Sequence, residues 1–520
     1  MPMFRSFVPE WIRPWIYVFI VTVFQLTGGI YLGSLSEMVG GLSLMREDVQ
    51  MCMYANLGGM AILFPILFRM KFRFTNKSLL TWSAVGIILC NWAVLYVQNL
   101  PLLWTICFIS GVCKIQGTFE CMSNIQSWIT PQHRFTVFFP VLHIIILVNI
   151  QLSDLLTTYI CYYYHWKYVH WFIIGLLLVV LLLLVTLTKH TRVMPKFPLY
   201  GVDWLGACLW AILMMEVTFL FDYGDWYDWW NSSVIRWLTV VIAITFIGCL
   251  HRMLHIRHPY LEPKMWLYPH YIPLLILITL VEVFLATEHV LEEMFYEGGL
   301  HYENLTTSVL DWWMILGILG GCLFALWWMR FLRYNFYRLL AIGFASLAIY
   351  MISFYFILSS DINIEKLYVP MIFKGFAYAV LSTTFMTCLQ ELMPFQHFFQ
   401  GLSVFNMIHM LVGGVMGGAL YARMLRYYIT DNIQRYGGYV DLSGTSSRHI
   451  DFGSFMNGFM ERVQLISLKQ IYGWVAYACL AIFVLFLLYD MPRVRSTVNR
   501  IPSWRSVGNE VKRTFRRLPL

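Results

Sequence analysis

Apolar runs follow one another along the whole chain, at 14–35, 51–69, 79–98, 101–128, 136–160, 168–188, 203–222, 234–251, 271–295, 309–329, 338–359, 366–389, 401–421 and 471–490. Each is close to the ~20 residues with which a helix crosses a bilayer. Only helices and closed barrels satisfy their backbone hydrogen bonds in lipid, and barrel strands are alternating segments of ~10 residues, so these runs predict helices. The fold class expected is an all-α polytopic membrane protein with about 14 transmembrane helices.

The loops between the runs alternate in charge. One set carries Arg69, Lys71, Arg73 and Lys77; Arg134; Lys189, Arg192 and Lys196; Arg252, Arg257 and Lys264; Arg330, Arg333 and Arg338; and the tail from Arg493 to Arg517. The other set is acidic or aromatic, with Glu37, Glu47 and Asp48; Asp222, Asp225 and Asp228; Glu297 and Glu303; Asp361 and Glu365. Basic loops face the cytoplasm, which predicts a plasma (inner) membrane protein with both termini cytoplasmic. The segment 422–470 reads as a long external loop, and long loops translocate largely regardless of charge. The first run continues past Gly28 and Gly29 without a cleavage-site pattern, so it is expected to be a retained helix.

Composition narrows the function classes. The chain is 59% hydrophobic and only 12% charged, with a mean hydropathy of +0.65, whereas soluble domains are about 25% charged. Its net charge of +8 comes from inter-helix loops and the tail, so no nucleic-acid partner is expected. The cysteines form no CxxC pair and read as small packing residues; neither a metal site nor a cofactor is expected. The absence of a Walker loop excludes ATP as an energy source within this chain, and the absence of His-Glu-x-x-His and Gly-x-Ser-x-Gly argues against an enzyme.

Two weak repeats relate the halves. A basic loop with Arg69, Lys71, Arg73 and Lys77 follows the second run, and one with Arg330, Arg333 and Arg338 follows the tenth. Pro131-Gln-His133 precedes a helix bearing His143, and Pro394-Phe-Gln-His397 precedes one bearing His409. Two six-helix units with a pair of helices between them account for both matches. The boundaries expected are 1–198 for the first unit, 199–268 for the inserted pair and linker, 269–491 for the second unit, and 492–520 for a basic tail.

This arrangement resembles the fourteen-span drug:proton antiporter branch of the major facilitator superfamily. Asp203-Trp-Leu-Gly206, then Gly224-Asp-Trp226 with Trp229 to Ser233, then Pro259-Tyr-Leu-Glu-Pro263, look like the family's motifs around its inserted pair, and His165-Trp-Lys-Tyr168 is similar to its Trp-Arg-Trp. The family's Gly-x-x-x-Asp-Arg loop survives only as basic residues, and its Gly-Pro-x-x-Gly-Gly signature is absent from Val141 to Thr158. The resemblance implies proton-coupled multidrug efflux by alternating access, with small-molecule substrates, protons and the bilayer as partners. In a cell with two membranes it also implies a periplasmic adaptor and an outer-membrane channel, for which 422–470 would be a docking surface. The alternatives are a sensor or scaffold that kept the fold and lost transport and, against the missing catalytic motifs, a membrane-embedded enzyme acting on lipids.

Charged residues at mid-membrane cost roughly 2.5–3.5 kcal/mol on insertion scales and therefore mark interior or functional positions. The ninth run is the richest: Glu282, His289 and Glu293 share one helical stripe, and Glu288 and Glu292 form an i, i+4 pair. Glu282, Glu288, His289, Asp154 and His143 are the expected proton-coupling residues, Asp154 and His143 again on one face. Glu292 and Glu293 read equally well as solvated at the external interface. The expected cavity set is Gln25, Asn56, Trp92, Lys114, Gln116, Glu120, Lys374, Asn406 and His409, with Arg69, Lys71, Arg73 and Lys77 as a cytoplasmic gate. Gly413/Gly417 and Gly414/Gly418 would allow close helix approach.

Overall fold

The computed structural model describes residues 3–28, 34–42, 44–130, 135–191, 199–331, 336–360, 362–438 and 452–488. Expectations resting on Arg134, Arg192, Lys196, Arg333, Asp361 and the tail 492–520 lie outside these residues. Among the described residues thirteen helices are long and apolar enough to cross a membrane, and Arg13–Leu26 is a shorter apolar one, as an integral membrane protein requires.

In chain order the helices are α1 (Arg13–Leu26), α2 (Leu35–Leu42), α3 (Arg46–Arg73), α4 (Asn76–Val94), α5 (Leu100–Ile129), α6 (Phe135–Tyr163) and α7 (Trp166–Leu187). The pair α8 (Trp204–Asp222) and α9 (Ser233–His255) follows. Then come α10 (Tyr271–Leu285), α11 (Val309–Phe331), α12 (Phe336–Ile357), α13 (Tyr368–Leu392), α14 (Phe395–Ile408), α15 (Gly417–Gly437) and α16 (Phe452–Leu488).

Three differences from the sequence reading matter. The first span does not run unbroken to residue 35: α1 ends at Leu26, and Thr27 caps it just before Gly28, whose missing side chain favours a helix end. The ninth span is also broken, because α10 gives way at Ala286–His289 to a 3₁₀ turn and then at Met294–Gly299 to a π turn. Finally, most of the supposed loop 422–470 is helix, since α15 runs on to Gly437 and α16 starts at Phe452. The charged positions there suggested a loop, but they lie on helices whose inner faces meet through a buried polar junction. Asn432 is fully buried and donates to Ser467 Oγ at 2.9 Å and to Gln470 Oε1 at 3.0 Å. α14 and α15 are joined by a π-helical segment, His409–Met416, into one continuous helical run, Gln396–Gly437, of 42 residues and about 60 Å at 1.5 Å per residue, twice the ~30 Å hydrocarbon core.

Related contacts recur in the first and last six spans. α3 packs along α5 where Gly59 faces the Phe108 carbonyl and Gly111 faces that of Asn56; a Cβ at either would strike backbone. α11 packs along α13 in the same way, through Gly317 against Ile372 and Gly375 against Met314. Such glycines let helices approach closely where lipid supplies no hydrophobic drive.

On the face that holds the start of the chain, here the basic face, Arg5 donates its amide to Leu187 O at 2.9 Å and Lys77 Nζ donates to Thr188 O at 3.0 Å. Aromatic rings close that face between the two sets of helices: Phe399 of α14 lies 5.7 Å from Phe68 and 5.5 Å from Phe119, and Phe398 lies 6.2 Å from Phe139. The linker after α9 braces the closure. Tyr260 Oη donates to Ile62 O at 2.6 Å and lies 3.1 Å from Ser403 Oγ, which itself donates to Ala61 O at 2.8 Å. On the opposite face, Arg46 of α3 pairs with Glu293 beyond α10, and Tyr223 donates to Asp48.

Candidate functional site

The break in the ninth span sets the site. A 3₁₀ turn advances 120° per residue rather than 100°, so the stripe expected for Glu282, His289 and Glu293 comes apart. Glu282 meets His409, with Oε2 3.0 Å from Nδ1, while Glu293 turns away to Arg46. His289 stays within electrostatic range of Glu288, Lys374, Glu293 and Glu292.

Lys374, only 2% exposed, holds the centre of the site. Its Nζ lies 2.7 and 3.0 Å from the Glu292 oxygens and 3.0 Å from Glu288 Oε2. Glu292 also accepts from Tyr350 and, at 3.3 Å, from Tyr296. Glu292 is 3% exposed, so its reading as a solvated interface residue is wrong; the 3₁₀ turn carries it inward beside Glu288. Asp154 of α6 and Asp311 of α11 lie within electrostatic range of Glu288, and Asp311 within range of Lys374. Asp311 escaped the sequence reading because it stands beside Trp312 and Trp313 at the start of a span, the pattern of an interface anchor.

The first half offers a counterpart without the acids. Lys114 is 4% exposed, and a Cβ on Gly28 would occupy the position of its ammonium. The lysine therefore sits at the C-terminal end of α1, where the helix dipole favours a cation. No carboxylate pairs with it among the described residues. On the neighbouring turns Gln25 donates to Thr118 Oγ1 at 3.1 Å and Asn56 donates to Cys107 O at 3.3 Å; both amide atoms of Gln116 are buried without a hydrogen-bond partner among the described residues.

Other expected residues lie elsewhere. Trp92 is 52% exposed on the surface against Tyr96, because its position on α4 faces away from the bundle. His143 is buried but bonds Phe139 O one turn back at 2.8 Å, and its eleven-residue separation from Asp154 along a helix is about 16 Å. Asn406 likewise bonds its own helix, at Leu402 O. Glu120 lies beside Lys71 rather than with Lys114, at 4.0 Å. Of the expected gate residues, Lys77 caps the end of α7, Arg69 packs against Gly201 within range of Glu262, and Arg73 is exposed. Gly413 gives room to Glu282, Gly417 to Ala286 and Gly414 to Tyr54, whereas Gly418 faces open space.

A cavity of about 390 Å³ opens on the face opposite the basic one, lined by Glu37, Thr158, Tyr162, Glu297, Tyr302 and Glu303. Thr158 lies one helical turn beyond Asp154 on α6.

No family model and no curated protein matches the sequence. Solved structures do. One from work on proton dependent oligopeptide transporters aligns over 91% of this chain and 97% of its own, with a TM-score of 0.57 and 13% identity. An auto-inhibited peptide transporter of the POT family aligns over 95% and 99%, with a TM-score of 0.55 and 15% identity. The proton:xylose symporter XylE aligns over 93% and 96%, with a TM-score of 0.51 and 13% identity. The all-helical fold of this chain is similar to that of these solved transporters, among them the major facilitator superfamily protein XylE.

Proposed function

We propose that the chain is a secondary active transporter that couples proton movement to transport of an amphipathic or aromatic small molecule bearing an anionic group. The observation that carries this reading is the contrast between two buried lysines: Lys374 is neutralised by Glu288 and Glu292, whereas Lys114 has no carboxylate beside it. A buried ammonium without a counter-ion is costly, and a substrate carboxylate arriving at the end of α1 would relieve that cost. Glu282 with His409, and Glu288 with Asp154, are the proton-coupling groups of this reading, because a substrate-linked change at Lys374 alters which of the clustered acids is ionised. The first and last six helices, divided near 198 and 269, rock about the site and alternately open the two faces. The basic face is the cytoplasmic one by its charge.

The fold alone supports neither drug efflux nor a direction, so the substrate class rests on Lys114. An adaptor, in a cell with two membranes, would meet the helical pair 422–437 and 452–470. The decisive test is reconstitution in vesicles holding a pH dye, with a panel of bile-acid-like and fatty-acid-like anions and lipophilic cations. Proton flux evoked by anions, lost in Glu282→Gln and weakened in Lys114→Met, is the expected result. Flux evoked by cations alone overturns the role of Lys114, and silence from folded protein across the panel favours a non-transporting relative.

A further inference from the structure

Lys71 and Glu120 stand apart from the groups around Lys374, on the basic-face side of the first six spans. Glu120 has no exposed surface, and neither of its carboxyl oxygens has a hydrogen-bond partner among the described residues. Lys71 Nζ lies 4.0 Å from Glu120 Oε1, but it hydrogen-bonds Ser123 Oγ and sits 5.6 Å from the centre of the Phe119 ring. Phe119 in turn is edge-on to Phe399 at 5.5 Å, and Phe399 contacts Phe68 at 5.7 Å. The pair therefore lies directly behind the rings that join the two halves on that face. The groups facing Glu120 are Lys71 from α3, Tyr17 from α1, and Asn124 and Cys121 on its own helix; from α4, Asn76 reaches only Asn124, at 3.5 Å.

A carboxylate sealed from water with only Lys71 at 4.0 Å and the Asn124 amide beside it is disfavoured by burial, while a neutral carboxyl in the same place is tolerable. We propose that Glu120 is a proton-binding site with Lys71 as its counter-ion, and that together they latch the aromatic closure of the basic face. With Glu120 protonated, Lys71 rests on Ser123 and over Phe119, and the face is shut, as seen here. When the O–H bond of Glu120 breaks and its proton leaves to water on that face, the carboxylate draws the ammonium from Phe119. The ring loses its cation–π partner and the contact with Phe399 loosens. The meaning of the latch for transport rests on the reading above, but proton binding at Glu120 can be tested without a substrate.

The test uses two readouts on the purified full-length protein. Infrared difference spectra between acid and alkaline pH report protonated carboxyl groups, and Glu120→Gln is expected to remove one band that Asp154→Asn leaves in place. Spin labels at the exposed positions Phe74 and Phe331, in a background lacking the exposed Cys208, report the separation of the two halves on the basic face. The ratio of open to shut populations should rise with pH by up to about tenfold per unit for one linked proton, and Glu120→Gln should hold the face shut at every pH. Glu120→Asp, which keeps a titrating group, should restore the dependence with a displaced midpoint and controls for folding. An unchanged band pattern, or a pH dependence that survives Glu120→Gln, overturns the proposal. A latch that works in a protein showing no proton flux would overturn the transport reading instead.

Discussion

Two buried lysines on corresponding helices have opposite surroundings. Lys114 on α5 and Lys374 on α13 each lie within a turn of the glycine through which their helix meets its neighbour, Gly111 and Gly375. Each also faces a broken helix: α1 ends beside the first, and α10 turns to 3₁₀ beside the second. Yet Lys374 is held by Glu288 and Glu292, with Tyr350 and Tyr296 on the second acid, while among the described residues Lys114 meets a helix end and no carboxylate. The same architecture thus makes a satisfied ion cluster in one half and an unanswered cation in the other. Removing one member of a buried ion cluster strands the others and is strongly destabilising, whereas removing a buried charge that stands by itself strands nothing.

The largest expected effect follows from that contrast. Lys374→Met leaves Glu288 and Glu292 buried or half-buried without a counter-ion and should destabilise the protein by about 3–5 kcal/mol, measured by thermal unfolding in detergent. Lys114→Met removes a charge that no carboxylate depends on, and its melting temperature should stay the same or rise. A large loss for both variants would show that Lys114 has a hidden partner and would break the comparison.

The glycines beside the two sites give a second, smaller contrast. A methyl group on Gly413 would displace Glu282 Oε2 from its 3.0 Å contact with His409, so Gly413→Ala should cost about 1–3 kcal/mol and uncouple proton flux from substrate. A methyl group on Gly28 meets only the tip of the flexible Lys114 side chain, so Gly28→Ala should change stability by less than about 1 kcal/mol while weakening anion-evoked flux. Stability curves and vesicle flux measured on the same two variants separate these outcomes.

Much of this architecture was legible from the order of residues, and the part that was not has a common cause. Apolar runs and basic loops located the spans because water and lipid act on every residue of a run at once. The lysines at 114 and 374 stood out because charge is expensive at that depth. What depended on helix phase was lost. An ideal helix carries Glu282, His289 and Glu293 on one face, but a single 3₁₀ turn redirects them to His409, the Lys374 neighbourhood and Arg46. Glu292 looked like a surface residue for the same reason. Asp311 was masked by its tryptophan neighbours, and Tyr260 stood in the Pro259–Pro263 motif, but neither signal pointed to their partners on helices distant in sequence.

The smallest effect concerns the brace that touches both halves and so belongs to neither lysine. Asp203 accepts from Arg252 Nε at 2.8 Å and Nη2 at 2.6 Å, from the Gly206 amide at 2.9 Å and from the Tyr260 amide at 3.3 Å. Burial works against its ionised form, but Arg252 and the two amides outweigh it and hold the carboxyl below the usual carboxylate range. A group whose folded value is depressed contributes its full stability above the unfolded value, about 3.9 for Asp, and loses it as pH falls through the folded value. The wild type should therefore shed a small part of its stability only below about pH 4, and Asp203→Asn should lack that increment at neutral pH. Because Tyr260, positioned by this carboxyl, bonds Ile62 and Ser403 on opposite halves, the acid-side loss should appear equally in Lys114→Met and in a Lys374 variant that still folds. If it appears in only one of them, the brace is coupled to that lysine, and the two sites are not independent.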